Sequence, residues 1–335
     1  MIMKRILHSA AVIASVAIIG AVGASVASAE SASLSEFAKG GNGGGKGPGG
    51  GGGGGGGGGT STYTLQNWMS PELADVWADG HLGQGTTITV VDDFSSQWGY
   101  YGDLGEGTQL HRHGEWTQIQ SSMVAPEAQM KSHDFYSGSR VRLQRKTTNV
   151  LNLSYGMMAD AVYDLNQIRW GAQEASIIDY AQNGQAVISK SSGNDAVEVG
   201  GTNADGLEDY LATALIGAQS ALFVGALDGN GTIANPASMA SYSNYAGTNV
   251  TVQDQFLVVG VHGDLTDLYG TSFAAPIVSG YASLLGSKFS SATPTQIADQ
   301  LLNTARTDTI LGYSTAIHGQ GEASIARAIA PVSIN

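Results

Sequence analysis

The string Gly270-Thr271-Ser272-Phe273-Ala274-Ala275-Pro276 puts a serine at a glycine turn, directly ahead of an apolar run with helical spacing. A serine hydroxyl is a weak nucleophile near neutral pH unless a base takes its proton. A helix start offers unpaired N–H groups to an oxygen that is gaining negative charge. Most Gly-x-Ser sites are ordinary helix caps, but the full seven-residue string is far harder to meet by chance. Histidine is the side chain best suited to act as base and then acid near neutral pH. The chain has seven histidines, and His113-Gly114 alone is a weak signal. A carboxylate to orient an imidazole closes the β-branched run Thr86 to Val91, as Asp92 or its neighbour Asp93. Asp92 ends the run directly. Ser192-Gly193-Asn194 follows the apolar stretch Ala186 to Ser189 and brings an amide suited to an oxyanion hole. An Asp or Asn at such a strand end is commonly a turn residue. Taken together, the four signals point to acyl transfer by a serine nucleophile.

These groups need elements to hold them. Ser70-Pro71-Glu72 reads as a helix start, with the helix running through Leu73, Val76 and Trp77 to a stop near Gly80. Thr86 to Val91, Val150 to Leu153, Ala186 to Ser189 and Ala221 to Leu227 read as strands. Gln173 to Gln182, Phe273 to Leu285, and a segment from Thr293-Pro294 through Leu302 read as helices. Strands apolar on both faces that alternate with helices imply an α/β fold in three layers, α/β/α, with a mainly parallel central sheet. Functional residues in such sheets lie at the carboxyl ends of strands, where Asp92, Ser154 and Asn194 all fall.

Composition narrows the class. The 335 residues carry 15 Lys and Arg against 28 Asp and Glu, a formal charge of -13. That balance argues against a nucleic-acid binder, which needs a basic face. Cysteine is absent, which excludes a disulfide framework and thiolate metal sites. Residues 1–29 read as a secretory signal peptide: Lys4 and Arg5, an apolar run from Ile6 to Val22, then Ala27-Ser28-Ala29. The run is at the short end for a membrane span and no basic cluster follows it, so cleavage after Ala29 and export are expected. Residues 30–59 read as a disordered Gly-rich linker, with 17 of the 48 glycines between Gly40 and Gly59. Residues 60–335 read as one globular domain.

The domain resembles the subtilisin-like serine proteases, the subtilases, over nearly all of Thr60 to Asn335. Gly270 to Pro276 is that family's nucleophile signature in full. Thr86 to Asp92 resembles its strand bearing the catalytic Asp, and His113-Gly114 the start of its catalytic His helix. Val124-Ala125-Pro126 resembles the strand start after that helix. Asn152 to Gly156 resembles its substrate-binding strand, and Val187 to Asn194 its oxyanion loop. The order Asp, His, Ser is also the subtilisin order. The resemblance implies a subtilisin-like fold and hydrolysis of peptide bonds through an acyl-enzyme. Ser272 is then the nucleophile, His113 the general base and acid, Asp92 the orienting carboxylate and Asn194 an oxyanion donor. Ser154, Tyr155 and Gly156 would bind substrate main chain as an added strand, which implies broad specificity.

Departures from the family pattern set further expectations. Asp92 is followed by Asp93-Phe94, where the family has Ser or Thr and then Gly. His113-Gly114 is followed by Glu115, where the family has Thr. An added carboxylate there is expected to raise the His113 pKa, with His111 as a partial offset. Trp116 to Met123 is too short for the calcium loop of many secreted members, so no metal site is carried over and no cofactor is required. Loops such as Asn203 to Asp209 have the oxygens for a structural calcium ion, although solvated loop charge explains them more simply. Asp195 is a candidate to line the first specificity pocket and disfavour acidic side chains. No folded prodomain is recognisable. The expected partners are protein or peptide substrates, acted on by a monomer outside the cytosol, extracellular or periplasmic. The expected partners include no nucleic acid, and no stable membrane insertion is expected after signal cleavage. One rival is an α/β-hydrolase esterase, which needs its Asp and His after the Ser. The other is a catalytically inactive protein of the same fold that only binds.

Overall fold

Every residue of Thr86–Asp92 (β1) before the aspartate is β-branched, and all seven are buried, as suits a strand covered on both faces. The computed structural model describes residues 63–334, so the signal peptide and the Gly-rich segment lie outside the described residues. The other strands are Tyr100–Gly102 (β2), Gln109–His111 (β3), Gln129–Asp134 (β4), Thr148–Leu153 (β5), Met158–Asp160 (β6), Val187–Ser191 (β7), Leu207–Asp209 (β8), Ala221–Leu227 (β9) and Phe256–Gly260 (β10). Six of them form one sheet in the order β10-β9-β7-β5-β1-β4, and every pair is parallel. β2 with β3, and β6 with β8, form two small antiparallel pairs.

The helices that matter to the site are Leu73–Ala78 (α1), His113–Val124 (α2), Ala172–Gln182 (α3), Tyr210–Leu215 (α4), Val250–Gln255 (α5), Gly263–Thr266 (α6), Ala275–Lys288 (α7) and Pro294–Asn303 (α8). Strand side chains alternate between two apolar layers. Ile88, Val90, Val150 and Val187 join the layer that holds α7 and α8. Val91, Leu151, Leu153 and Ile188 join the layer that holds α3 and α4. This is the three-layer α/β/α arrangement expected, and α7 crosses beneath β1, β5, β7 and β9. Twelve of its fourteen residues are buried, so it reads as apolar on all sides rather than on one stripe.

Some elements differ from expectation. The first helix starts at Leu73, capped at Glu72, because Ser70 and Pro71 form a preceding turn in which Leu73 N–H bonds the Ser70 carbonyl. Val124-Ala125-Pro126 closes α2 rather than opening a strand, and β4 begins three residues later. β4 is polar and half exposed because it is a sheet edge, so it lacks an apolar pattern to read. β10 is the opposite edge and is fully buried. Its outer side is closed by the segment around Gly321, where Val258 N–H donates to the Gly321 carbonyl and Ala323 N–H to the Val258 carbonyl.

Candidate active site

Asp92 is the last residue of β1 and His113 the first of α2, and the sheet brings them together. His113 Nδ1 lies 2.7 Å from Asp92 Oδ1. Asp92 is 1% exposed and His113 5%, so this contact is out of water. With Nδ1–H donating to Asp92, the Nε2 lone pair is left for the cleft. Thr117 Oγ1 donates to Asp92 Oδ2 at 3.2 Å, and the Asp93 N–H to Oδ1 at 2.7 Å, so the carboxylate is fixed from three sides. The imidazole edge also meets the rings of Tyr100 and Phe273, at centroid distances of 6.0 and 5.7 Å. Gly114 permits this approach of α2 to β1. Its N–H donates to the Asp93 carbonyl at 3.0 Å, and a Cβ there would lie 2.7 Å from that oxygen.

The two adjacent acids do different work. Asp93 accepts from the Ser95 and Ser96 N–H groups, at 3.2 and 2.9 Å, and from the Ser96 hydroxyl. It shapes the loop after β1, while Asp92 holds the imidazole. Burial alone pushes the His113 pKa down. The charge and hydrogen bond of Asp92, with the charge of Asp93, outweigh it and leave the imidazole above its ordinary value. Glu115 has no part in that shift, contrary to expectation. Its oxygens are taken by Arg112, from the backbone N–H at 2.7 Å and from Nη1 at 2.9 Å, as the cap of α2. His111 is held below its ordinary pKa by burial, against a smaller upward pull from Glu115.

Ser272 stands in the single 3-10 turn Thr271–Phe273 that leads into α7, not in the helix itself. Gly270 before it has φ +117°, a conformation that side-chain-bearing residues rarely adopt, so glycine is required at this turn. Ser272 Oγ donates to the Ser154 carbonyl at 3.1 Å, and the Ser154 hydroxyl donates to the Ser272 carbonyl at 2.8 Å. The turn that carries Ser272 is therefore tied to the end of β5 by two reciprocal bonds. Asn152 Nδ2 supports Ser154 Oγ at 3.0 Å.

Asn194 is oriented by the same turn. Its Oδ1 accepts from Thr271 N–H at 2.8 Å and from Thr271 Oγ1 at 3.0 Å. A backbone N–H can only donate, so the amide oxygen must face Thr271 and Nδ2 must face the other way. The loop is held from behind by Asn244. Asn244 Nδ2 donates to the Ser192 carbonyl at 3.0 Å, and its Oδ1 accepts from the Asp195 and Val197 N–H groups. Sequence reasoning missed Thr271, Thr117 and Asn244 in these roles. The signal for Thr271 was present, inside the nucleophile string.

His113, Ser154, Tyr155, Gly156, Asn194 and Ser272 all line one cleft of about 480 Å³ at the carboxyl ends of the strands. Tyr155 is buried and stacked on Phe135 at 5.5 Å. At the side of the cleft, Lys190 Nζ pairs with Asp209 Oδ2 at 2.9 Å. Asp195 is exposed at the mouth and accepts from Asn203 Nδ2 at 3.2 Å. Within the 203–209 loop, Asn203 Oδ1 accepts from the Asp205 and Leu207 N–H groups, and Asp209 Oδ1 caps α4. Among the described residues no group of three or more His, Asp or Glu is placed to hold a metal ion.

The model of the subtilase family matches residues 117–322. That span includes Ser154, Asn194 and Ser272 and begins after Asp92 and His113. Among solved structures, the prenylagaramide maturation protease PagA is similar over 78% of this chain and 98% of its own, at 20% identity and a TM-score of 0.50. A protease from Pseudoalteromonas arctica is similar over 77% of this chain and 93% of its own, at 16% identity and a TM-score of 0.48. No curated protein sequence matches.

Proposed function

The chain belongs to the subtilase family, as a serine endopeptidase, and we propose that it hydrolyses peptide bonds with Ser272 as nucleophile, His113 as general base and acid, and Asp92 as the carboxylate that orients the imidazole. The observation that carries this reading is the buried 2.7 Å contact between His113 Nδ1 and Asp92 Oδ1, in the cleft that Ser272 also lines. In the reaction the Ser272 hydroxyl turns from the Ser154 carbonyl to His113 Nε2, gives up its proton and attacks the scissile carbonyl carbon. Asn194 Nδ2 and the Ser272 N–H receive the oxyanion. His113 then protonates the leaving amine, and a water repeats the sequence on the acyl-enzyme. Ser154 to Gly156 holds substrate main chain, so most substrate positions tolerate many side chains.

The signal-like N-terminus supports export to the periplasm or medium. Among the described residues no helix is long and apolar enough to cross a membrane. The test of the site assignment is labelling with a fluorophosphonate followed by peptide mapping. The adduct is expected on Ser272 alone, with labelling suppressed in His113→Ala. Equal labelling of wild type and His113→Ala, or an adduct elsewhere, contradicts it.

A further inference from the structure

The cleft beside Ser272 contains a carboxylate that the mechanism leaves unused. Glu174, in the first turn of α3, is 4% exposed and lines the cleft. Its Oε1 accepts from Gln173 Nε2 at 2.9 Å. Among the described residues no group donates to Oε2 and no Lys or Arg pairs with Glu174. Gly171 leaves that oxygen room, since a Cβ there would lie 3.0 Å from it. The other charges on the cleft are placed otherwise. Lys190 is committed to Asp209, Asp195 is exposed at the mouth, and Arg169 is exposed on the rim. Oε2 is shielded but still open to the cleft, and with no cation beside it a cationic ligand gains a charge-assisted hydrogen bond there.

The neighbours of Glu174 fit the rest of such a ligand. Gln173 Nε2, which holds Oε1, also reaches the Tyr155 hydroxyl at 3.4 Å. The stacked rings of Tyr155 and Phe135 supply an apolar wall beside the carboxylate. Lysine and arginine combine an apolar stem with a charged head, and suit a wall that ends in an acid. The net charge of -13 draws cationic peptides toward the molecule.

We propose that the cleft selects a lysine or arginine side chain of the peptide substrate, with its stem along Tyr155 and its head on Glu174 Oε2. This rests on the hydrolase reading above. A fluorogenic peptide library that varies each of the four positions on either side of the scissile bond tests it, on wild type and Glu174→Gln. The readout is the ratio of kcat/KM for lysine over norleucine at each position. In wild type one position is expected to favour lysine about tenfold to a hundredfold, the range for a charge-assisted hydrogen bond. Glu174→Gln is expected to bring that ratio near one. A wild type that favours lysine nowhere overturns the proposal, even if the variant does not fold. So does a ratio unchanged in a folded Glu174→Gln. Peptide turnover with fluorophosphonate labelling but no basic preference sinks this inference alone. Absence of both turnover and labelling sinks the hydrolase reading and this inference with it.

Discussion

Asp92 and Asp93 are adjacent and chemically identical, and only their surroundings divide the work between them. Replacing Asp92 with Asn leaves His113 Nδ1 facing an amide, which favours the wrong tautomer. We expect kcat to fall about 10⁴-fold. Asp93→Asn loosens the Ser95–Ser96 turn instead and spares most of kcat, so comparing the two variants checks the division. The raised His113 pKa sets the acid limb of the pH profile. The base must be unprotonated, so kcat/KM falls as pH drops through a value above that of a free imidazole. Asp93→Asn is expected to move that limb down, and Glu115→Thr to leave it in place. The same shift stabilises the folded state below about pH 6.5, the unfolded value, and this contribution is lost as pH rises through the folded value. Asn194→Ala removes one proposed oxyanion donor and is expected to lower kcat about 10²–10³-fold with KM little changed.

At the scale of elements, the site is where five pieces of chain meet: the ends of β1, β5 and β7, the start of α2 and the turn before α7. Four of them were legible in the sequence because a short motif marks each: an Asp after β-branched residues, His-Gly, Ser-Gly-Asn, and the Gly270 to Pro276 string; the end of β5 was legible as a short apolar run and by family resemblance. The bonds that lock the pieces together were not legible. Asn244 reaches Ser192 across 52 residues, Asn194 reaches Thr271 across 77, and Ser154 reaches Ser272 across 118. No local pattern encodes such distances. The same limit hid β4, whose edge position removes the alternation a strand normally shows. The pair of buried Lys190 and half-buried Asp209 joins β7 to the end of β8. Asp209→Ala leaves the ammonium 1% exposed and unpaired, a loss of about 3–5 kcal/mol in a urea melt. Lys190→Met with Asp209→Leu is expected to recover only part of it, since an apolar pair needs no counter-charge but the α4 cap given by Asp209 is still lost.

For the whole molecule, the three-layer class followed from apolar strands alternating with helices, and the sheet order did not, because register and crossover depend on contacts far apart in sequence. The glycine-rich segment has almost no apolar side chain to offer a core. Deleting Gly40 to Gly59 from the purified protein is therefore expected to leave Tm and kcat unchanged, and a drop in either in a thermal melt or a peptide assay contradicts that reading. The acidic surface gives the molecule a field that attracts cationic peptides, so kcat/KM for a basic peptide is expected to fall as salt rises, more than for a neutral one. In the proposed mechanism Asp92, His113 and Ser272 form one working unit. Its most direct test is hydrolysis of casein by the purified wild type beside Ser272→Ala, with fluorophosphonate labelling of both. Wild type is expected to cleave and to label, and both signals are expected to vanish together in the variant. A folded wild type that neither cleaves nor labels, or a Ser272→Ala variant that still cleaves, contradicts it.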